Sequence, residues 1–156
     1  MSDKIKRRHR IVLWIWYIGS AIYFSVLFYI VFLAGRRQGD AKSAIDPEIH
    51  LDPLSRKWDV WKHSANSDNL YLDVMGNIVM FVPFSLVLYV VFRIRNLYLI
   101  LLLGFLTSLF IETTQYIFQI GVADIDDLIL NTLGTLIGIA IIEALKIVLT
   151  GDKLAK

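Results

Sequence analysis

The chain has 156 residues, enough for one domain, and 56% of them are hydrophobic, against roughly 45–50% in soluble globular proteins. The hydrophobic residues form four long runs, which predicts a multi-pass membrane protein rather than a soluble one. The absence of cysteine excludes disulfides, thiolate catalysis and Cys-ligated zinc. A net charge of only +2 gives no indication of a nucleic-acid binder.

The first run follows a basic N-terminal segment, MSDKIKRRHR, and extends without a charge from Ile11 to Leu33. It is long enough to span the hydrocarbon core with some tilt. It is also longer than the apolar part of a signal peptide, which is roughly 7–15 residues. We therefore expect a first transmembrane helix whose basic flank stays in the cytoplasm.

Residues 34–69 form the longest polar stretch, and we expect an extracytoplasmic loop. An apolar stripe at helical spacing lies within it: Leu51, Leu54, Trp58 and Trp61. The stripe predicts a short helix lying at the membrane surface, although a loop with two buried Trp side chains is an alternative. His50 and His63 lack partners at metal-ligand spacing, so we expect no metal role for them.

Three further apolar runs follow, at residues 70–92, 97–120 and 125–149. With the first run they predict a single all-α domain over residues 1–156, in which about four transmembrane helices form a compact bundle. Pro83 lies inside the second run, where it removes a backbone donor, so we expect a kink there.

Each of these three runs places small or polar residues on one helical face. In the second run the face carries Asp73, Asn77, Met80 and Phe84. In the third it carries Gly104, Ser108, Glu112, Gln115 and Gln119. In the fourth it carries Asp127, Asn131, Gly134 and Gly138. The two glycines let another backbone approach closely, which suits either a neighbouring helix or a second copy of the chain.

A helical rise of about 1.5 Å per residue brings polar groups from three spans to one level near the extracytoplasmic end. We call these residues the acidic–amide cluster: Asn77, Glu112, Gln115, Asp124, Asp126, Asp127 and Asn131. Such side chains are costly at membrane depth, so they are candidates for ligand binding. No Lys or Arg occurs between Arg95 and Lys146 to neutralise the carboxylates.

Like charges in a partly dry site do not all ionise cheaply, so the cluster should favour protons, a divalent metal, or a ligand rich in amines or hydroxyls. Glu112, Asp124 and Asp127 are the candidate metal ligands. If the protein is an enzyme, Glu112 and Asp127 are the candidate general acid and base. Helix N-terminal capping is an ordinary structural explanation for one or two of the three aspartates.

The distribution of basic residues predicts the topology. Of the 16 Lys and Arg residues, ten fall in the segments proposed to be cytoplasmic and six in the long loop. This bias places both termini in the cytoplasm.

Three segments resemble the VanZ-like family of small bacterial membrane proteins: GNIVMFVPFS, ETTQYIF and DIDDLILNTLGTLIG. They match, in order, the family patterns N-x-x-x-F-x-P, E-x-x-Q and D-x-D-D-x-x-x-N-x-x-G-x-x-x-G. Many relatives carry a basic residue between the Gln and the first Asp, and this chain has none. The resemblance implies a bacterial cell-membrane protein whose namesake is linked to low-level resistance to the glycopeptide teicoplanin.

Four functions remain open at this stage. The preferred one is binding of a lipid-linked or lipophilic envelope molecule, with membrane lipids as surroundings and no nucleic acid as partner. The others are an enzyme that acts on a lipid, a small transporter and a purely structural use of the polar groups. We predict no organic cofactor, leave a divalent cation open, and also leave a homo-oligomer open.

Overall fold

The computed structural model describes residues 3–33, 49–50, 68–120 and 123–150. Its elements, in chain order, are α1 (Asp3–Phe28), continued by a π-helix (Tyr29–Leu33), β1 (Ile49–His50), α2 (Asp68–Val90), α3 (Leu97–Phe118), β2 (Ala123–Asp124) and α4 (Ile125–Thr150). The predicted bundle of about four helices is confirmed. The predicted surface helix around Trp58 lies outside the described residues.

All four helices are long and apolar enough to cross a membrane, and the four spans predicted from the sequence are confirmed. They cover Arg10–Leu33, Tyr71–Val90, Leu97–Phe118 and Ile125–Leu149. Large apolar side chains such as Val79 and Phe110 lie on the outside of the bundle, where hydrocarbon, not water, is the favourable surrounding. The chain is a multi-pass membrane protein.

The ends of α3 are set by local backbone chemistry. Asn96 caps the N-terminus, because its side-chain oxygen accepts a hydrogen bond of 3.2 Å from the Leu99 amide. Gln119 ends the helix in the left-handed conformation, with φ of 51°. Gln119 is therefore exposed, and the prediction that it extends the buried polar face of α3 is wrong.

The closest helix pair is α2 with α4, and glycine makes it possible. A Cβ at Gly134 would collide with the Ile78 carbonyl, and one at Gly138 with the Val82 carbonyl, both on α2. Close backbone approach of this kind is what a small-xxx-small face permits. The face is thus occupied by α2 of the same chain, so it is not a surface through which a second copy would bind.

Helix α1 packs on the bundle mainly through its C-terminal half. Leu27 is buried in a cluster with Phe81, Phe84 and Leu88 of α2, together with Ile100 and Ile111 of α3. The Tyr23 hydroxyl donates a 2.7 Å hydrogen bond to the Met80 carbonyl. Most side chains from Ile11 to Ile18 are exposed instead. Packing in this part of α1 is therefore loose.

A short backbone pairing, which the sequence does not predict, connects distant segments. Strand β1 pairs in parallel with β2, with Ile49 opposite Ala123 and His50 opposite Asp124. Because β2 directly precedes α4, the loop between the first two spans is tied to the turn between the last two.

The α2–α4 contact generates a stability prediction. We expect Gly134→Ala to lower the unfolding temperature, with overpacking that costs about 1–3 kcal/mol, because the added methyl group meets the α2 backbone. The matched control is Gly76→Ala, where nothing lies within 4 Å of the added carbon. That change should be neutral or stabilise by about 0.5–1 kcal/mol. Thermal unfolding of both variants in detergent is the measurement, and equal shifts would contradict the packing.

Candidate functional site

All seven members of the acidic–amide cluster are buried. Their relative exposure ranges from 0% at Gln115 to 8% at Asp124. Asn77 comes from α2, Glu112 and Gln115 from α3, Asp124 from β2, and the others from α4. Side-chain hydrogen bonds join these elements to one another. The sequence pattern thus identified side chains that all turn into the bundle, not toward lipid.

The first link joins α2 to α4. The Asn77 Nδ2 donates a hydrogen bond to Asp127 Oδ1, at 2.5 Å, and both side chains are 3% exposed. A hydrogen bond to a charged or partly charged oxygen in a dry site is among the stronger polar contacts. It lies on the same side of α4 as Gly134 and Gly138, so polar and steric contacts hold the same two helices together.

The second link joins α3 to the start of α4. Glu112 Oε2 accepts a 3.0 Å hydrogen bond from the backbone N–H of Asp124. Asp124 Oδ1 in turn accepts one of 2.9 Å from the backbone N–H of Asp126. Asp124 is therefore the N-cap of α4, and Asp126 and Asp127 lie in its first turn, where the helix dipole favours negative charge.

The third link joins α4 to α3 deeper in the bundle. Asn131 Nδ2 donates to Ser108 Oγ at 2.9 Å. Below it, Thr135 Oγ1 donates to the Asn131 carbonyl at 3.0 Å, and Ser85 Oγ donates to the Thr135 carbonyl at 2.8 Å. Ser85 and Thr135 were not singled out from the sequence. For Thr135, the helical repeat could have indicated an inward position, because it follows Asn131 by four residues.

The fourth link holds the end of the first span. Gln115 Nε2 donates a 3.0 Å hydrogen bond to the Val31 carbonyl. Val31 lies in the π-helical turn Tyr29–Leu33, and π-turns inside membrane helices often occur at functional sites. The sequence shows Gln115 as a polar residue in mid-helix, but nothing in it identifies a backbone carbonyl 84 residues away as the partner.

Two buried side-chain oxygens have no hydrogen-bond partner among the described residues: Gln115 Oε1 and Asn131 Oδ1. Their side chains are 0% and 3% exposed. Buried polar atoms in native proteins are nearly always satisfied, so each such exception needs an explanation. Both atoms are acceptors, and a group that supplies N–H or O–H donors would satisfy them.

The residues proposed as metal ligands are Glu112, Asp124 and Asp127. Within the described parts of the chain, no group of three or more His, Asp or Glu side chains is placed to hold a metal ion. The hydrogen bonds above show that Asp124 caps α4 and that Asp127 accepts from Asn77. The arrangement therefore gives the metal hypothesis no support.

Comparison with known proteins identifies the protein family of this chain. The VanZ/LLP1 family profile matches residues 20–146. The chain belongs to the VanZ/LLP1 family. The match covers the C-terminal part of α1, all of α2 and α3, most of α4 and the whole acidic–amide cluster, which confirms the resemblance seen in the three sequence segments.

One relative is the protein VanZ of Enterococcus faecium. It is 35% identical to this chain over 69 residues, which is 44% of this chain and 43% of the relative. The alignment therefore spans less than half of either protein. No solved structure matches the chain.

The Asn77–Asp127 contact can be tested by a double-mutant cycle. We expect Asn77→Ala and Asp127→Ala each to destabilise the protein. We also expect the double variant to lose less than the sum, with a coupling energy of about 1–3 kcal/mol. Unfolding in mixed detergent and SDS measures the three values. A matched cycle of Asn77→Ala with Thr132→Ala, whose hydroxyl bonds within its own helix, should be additive. Additivity in both cycles would show that the contact contributes nothing.

Proposed function

We propose that this VanZ/LLP1 family protein engages a lipid-linked or lipophilic molecule of the bacterial envelope through the acidic–amide cluster. We further propose that this engagement lowers susceptibility to glycopeptide antibiotics such as teicoplanin. The observation that carries the proposal is the pair of buried acceptor oxygens, Gln115 Oε1 and Asn131 Oδ1, that have no partner among the described residues.

The chemistry of the cluster selects the ligand. Its carboxylates already receive backbone and amide donors, so a further acidic ligand would add like charge to a buried site. A molecule with hydroxyl, amide or amine donors would instead satisfy the open acceptors and reduce the cost of burying them. Sugar and peptide head groups of envelope precursors have such donors, and so do glycopeptides.

The surroundings of the cluster favour a ligand with an apolar part. The outward faces of the four helices are apolar along their length, so a molecule with an apolar part would approach the bundle from within the bilayer. The cluster also lies at one end of the bundle, because Asp124 immediately precedes α4 and Glu112 is near the end of α3. A ligand with a polar head and a lipid tail suits both properties.

A second part of the proposal is the orientation of the chain in the cell membrane, which we infer from the distribution of basic residues. The basic N-terminal segment and the Arg93–Arg95 turn mark one side as cytoplasmic. The turn between α3 and α4 contains no Lys or Arg. The cluster would then open toward the outside of the cell membrane, where cell-wall precursors and glycopeptides occur.

The catalytic alternative, in which Glu112 and Asp127 act as acid and base on a lipid, is not favoured by a specific contact. Asp124 and Asp127 have structural roles at the start of α4, and Glu112 supports the Asp124 backbone. Binding therefore accounts for the observations with fewer assumptions. Mass spectrometry of lipids that co-purify with the protein would identify the ligand class and reveal any modified product.

Drug susceptibility tests the proposal. Wild type, Gln115→Ala and Asn131→Ala are expressed at equal membrane levels in a teicoplanin-susceptible bacterium. We expect the wild type to raise the inhibitory concentration and both variants to lose most of that gain. The reason is that one lost hydrogen bond in a buried site costs about 1–1.5 kcal/mol, roughly tenfold in affinity.

The matched control is Gln119→Ala, which removes the same amide from the exposed end of α3 and should keep the wild-type gain. Glu112→Ala and Asp127→Ala should behave like the cluster variants. If all variants protect as well as the wild type, the cluster has no part in resistance. If the wild type itself gives no protection, the glycopeptide part of the proposal is wrong.

The orientation has its own test. A reporter that is active only outside the cytoplasm, inserted after Gly121, should be active, while the same reporter after Lys156 should be inactive. A cytoplasmic fluorescent reporter at the two positions should give the opposite result. Activity at Lys156 and none at Gly121 would invert the topology and place the cluster on the cytoplasmic side.

A further inference from the structure

A second feature, separate from the acidic–amide cluster, lies between α1 and α2. The N-terminal half of α1 does not pack closely on α2, and a cleft of about 330 Å³ remains between them. Its walls are formed by Ile15, Trp16 and Gly19 of α1 and by Pro83, Leu86 and Val87 of α2. This volume is at the lower end of the range of ligand pockets.

The walls of this cleft are almost wholly apolar. The one hydroxyl that adjoins it on α1, Ser20, donates its proton to the Trp16 carbonyl within the same helix, at 2.7 Å. At the end of the cleft, the Tyr23 hydroxyl is bonded to the Met80 carbonyl. The protons of both hydroxyls are thus used within the protein, and the rest of the lining is almost wholly apolar, so a hydrocarbon chain fits better than a sugar.

Basic residues lie beyond one end of the cleft on both helices, since Arg10 precedes Ile15 by five residues and Arg93 follows Val87 by six. The two helices run in opposite directions, and Tyr23 marks the same level as Met80. Thirteen residues before Tyr23 is Arg10, and thirteen residues after Met80 is Arg93. Both side chains are exposed.

We infer that this cleft holds one acyl chain of an anionic phospholipid, whose phosphate lies between the basic N-terminal segment and Arg93. The apolar walls accept the chain, and basic residues beside a membrane helix attract anionic head groups. A second copy of this chain that seats its own α1 in the cleft, in the same direction, fits less well. Its basic N-terminal segment would then lie beside the same cations and repel them.

Affinity measurements on the full-length protein in detergent test this inference. Native mass spectrometry is used to titrate phosphatidylglycerol, which is anionic, and phosphatidylcholine, which is zwitterionic. We expect phosphatidylglycerol to bind more tightly. Gly19→Leu should weaken its binding at least about tenfold, because nothing lies within 4 Å of a Cβ at Gly19 and the larger side chain fills the space of the acyl chain.

Two matched controls separate this effect from a change in folding or in total charge. Gly76→Leu is the same substitution at a second position with open space outside the cleft, and should bind lipid as the wild type does. Arg10→Gln/Arg93→Gln, which removes two exposed cations, should reduce the preference for phosphatidylglycerol by about fivefold or more. Arg36→Gln/Arg37→Gln, which removes two charges after the other end of the first span, should leave it unchanged.

Two results would overturn the inference. They are equal binding of the two lipids by the wild type, and unchanged lipid affinity in Gly19→Leu. If lipid affinity is unchanged in Gly19→Leu but the ratio of monomer to dimer is altered, a second copy of the chain is the occupant.

Discussion

The contact between α2 and α4 is the constraint on which the rest of the structure depends. Gly134 and Gly138 bring the two backbones together, and hydrogen bonds from Asn77 and Ser85 hold them at two levels. In a bilayer, helices gain nothing by removing apolar surface from water, so close packing and interhelical hydrogen bonds have to supply the association. This helix pair provides both, and α3 then packs against it through Gly104 and Ser108.

The burial of four carboxyl groups follows from the same arrangement. Asp124, Asp126 and Asp127 are at the positive end of the α4 dipole, which favours negative charge there, and Asp124 also accepts the Asp126 amide. Glu112 extends this pattern from a neighbouring helix, since it accepts the Asp124 amide. Main-chain donors thus stabilise two of the four carboxyl groups, Glu112 and Asp124, while Asp127 accepts from the Asn77 side chain. The amides Gln115 and Asn131 each use one end as a donor and present the other as an acceptor.

The sequence predicted the spans and the inward faces well, because both depend on residue periodicity alone. Asn77, Ser108, Glu112, Asn131 and Gly134 all lie where the helical repeat places them. Gln119 does not, because a left-handed residue ends α3 before the repeat reaches it. The partners of these side chains were beyond prediction, since periodicity gives the face of a helix but not its rotation or depth against its neighbours. The π-turn and the two-residue strands have no compositional signal at all.

The pairing of Ile49–His50 with Ala123–Asp124 has a consequence for how the protein can vary. The connection is made by main-chain groups, so it depends little on the side chains at Ile49, His50 and Ala123, whereas the Asp124 carboxylate is needed to cap α4. Proline is the exception, because it has no amide hydrogen to contribute to a ladder. Most substitutions at Ile49, His50 and Ala123 should therefore leave the link between the first long loop and the last turn intact.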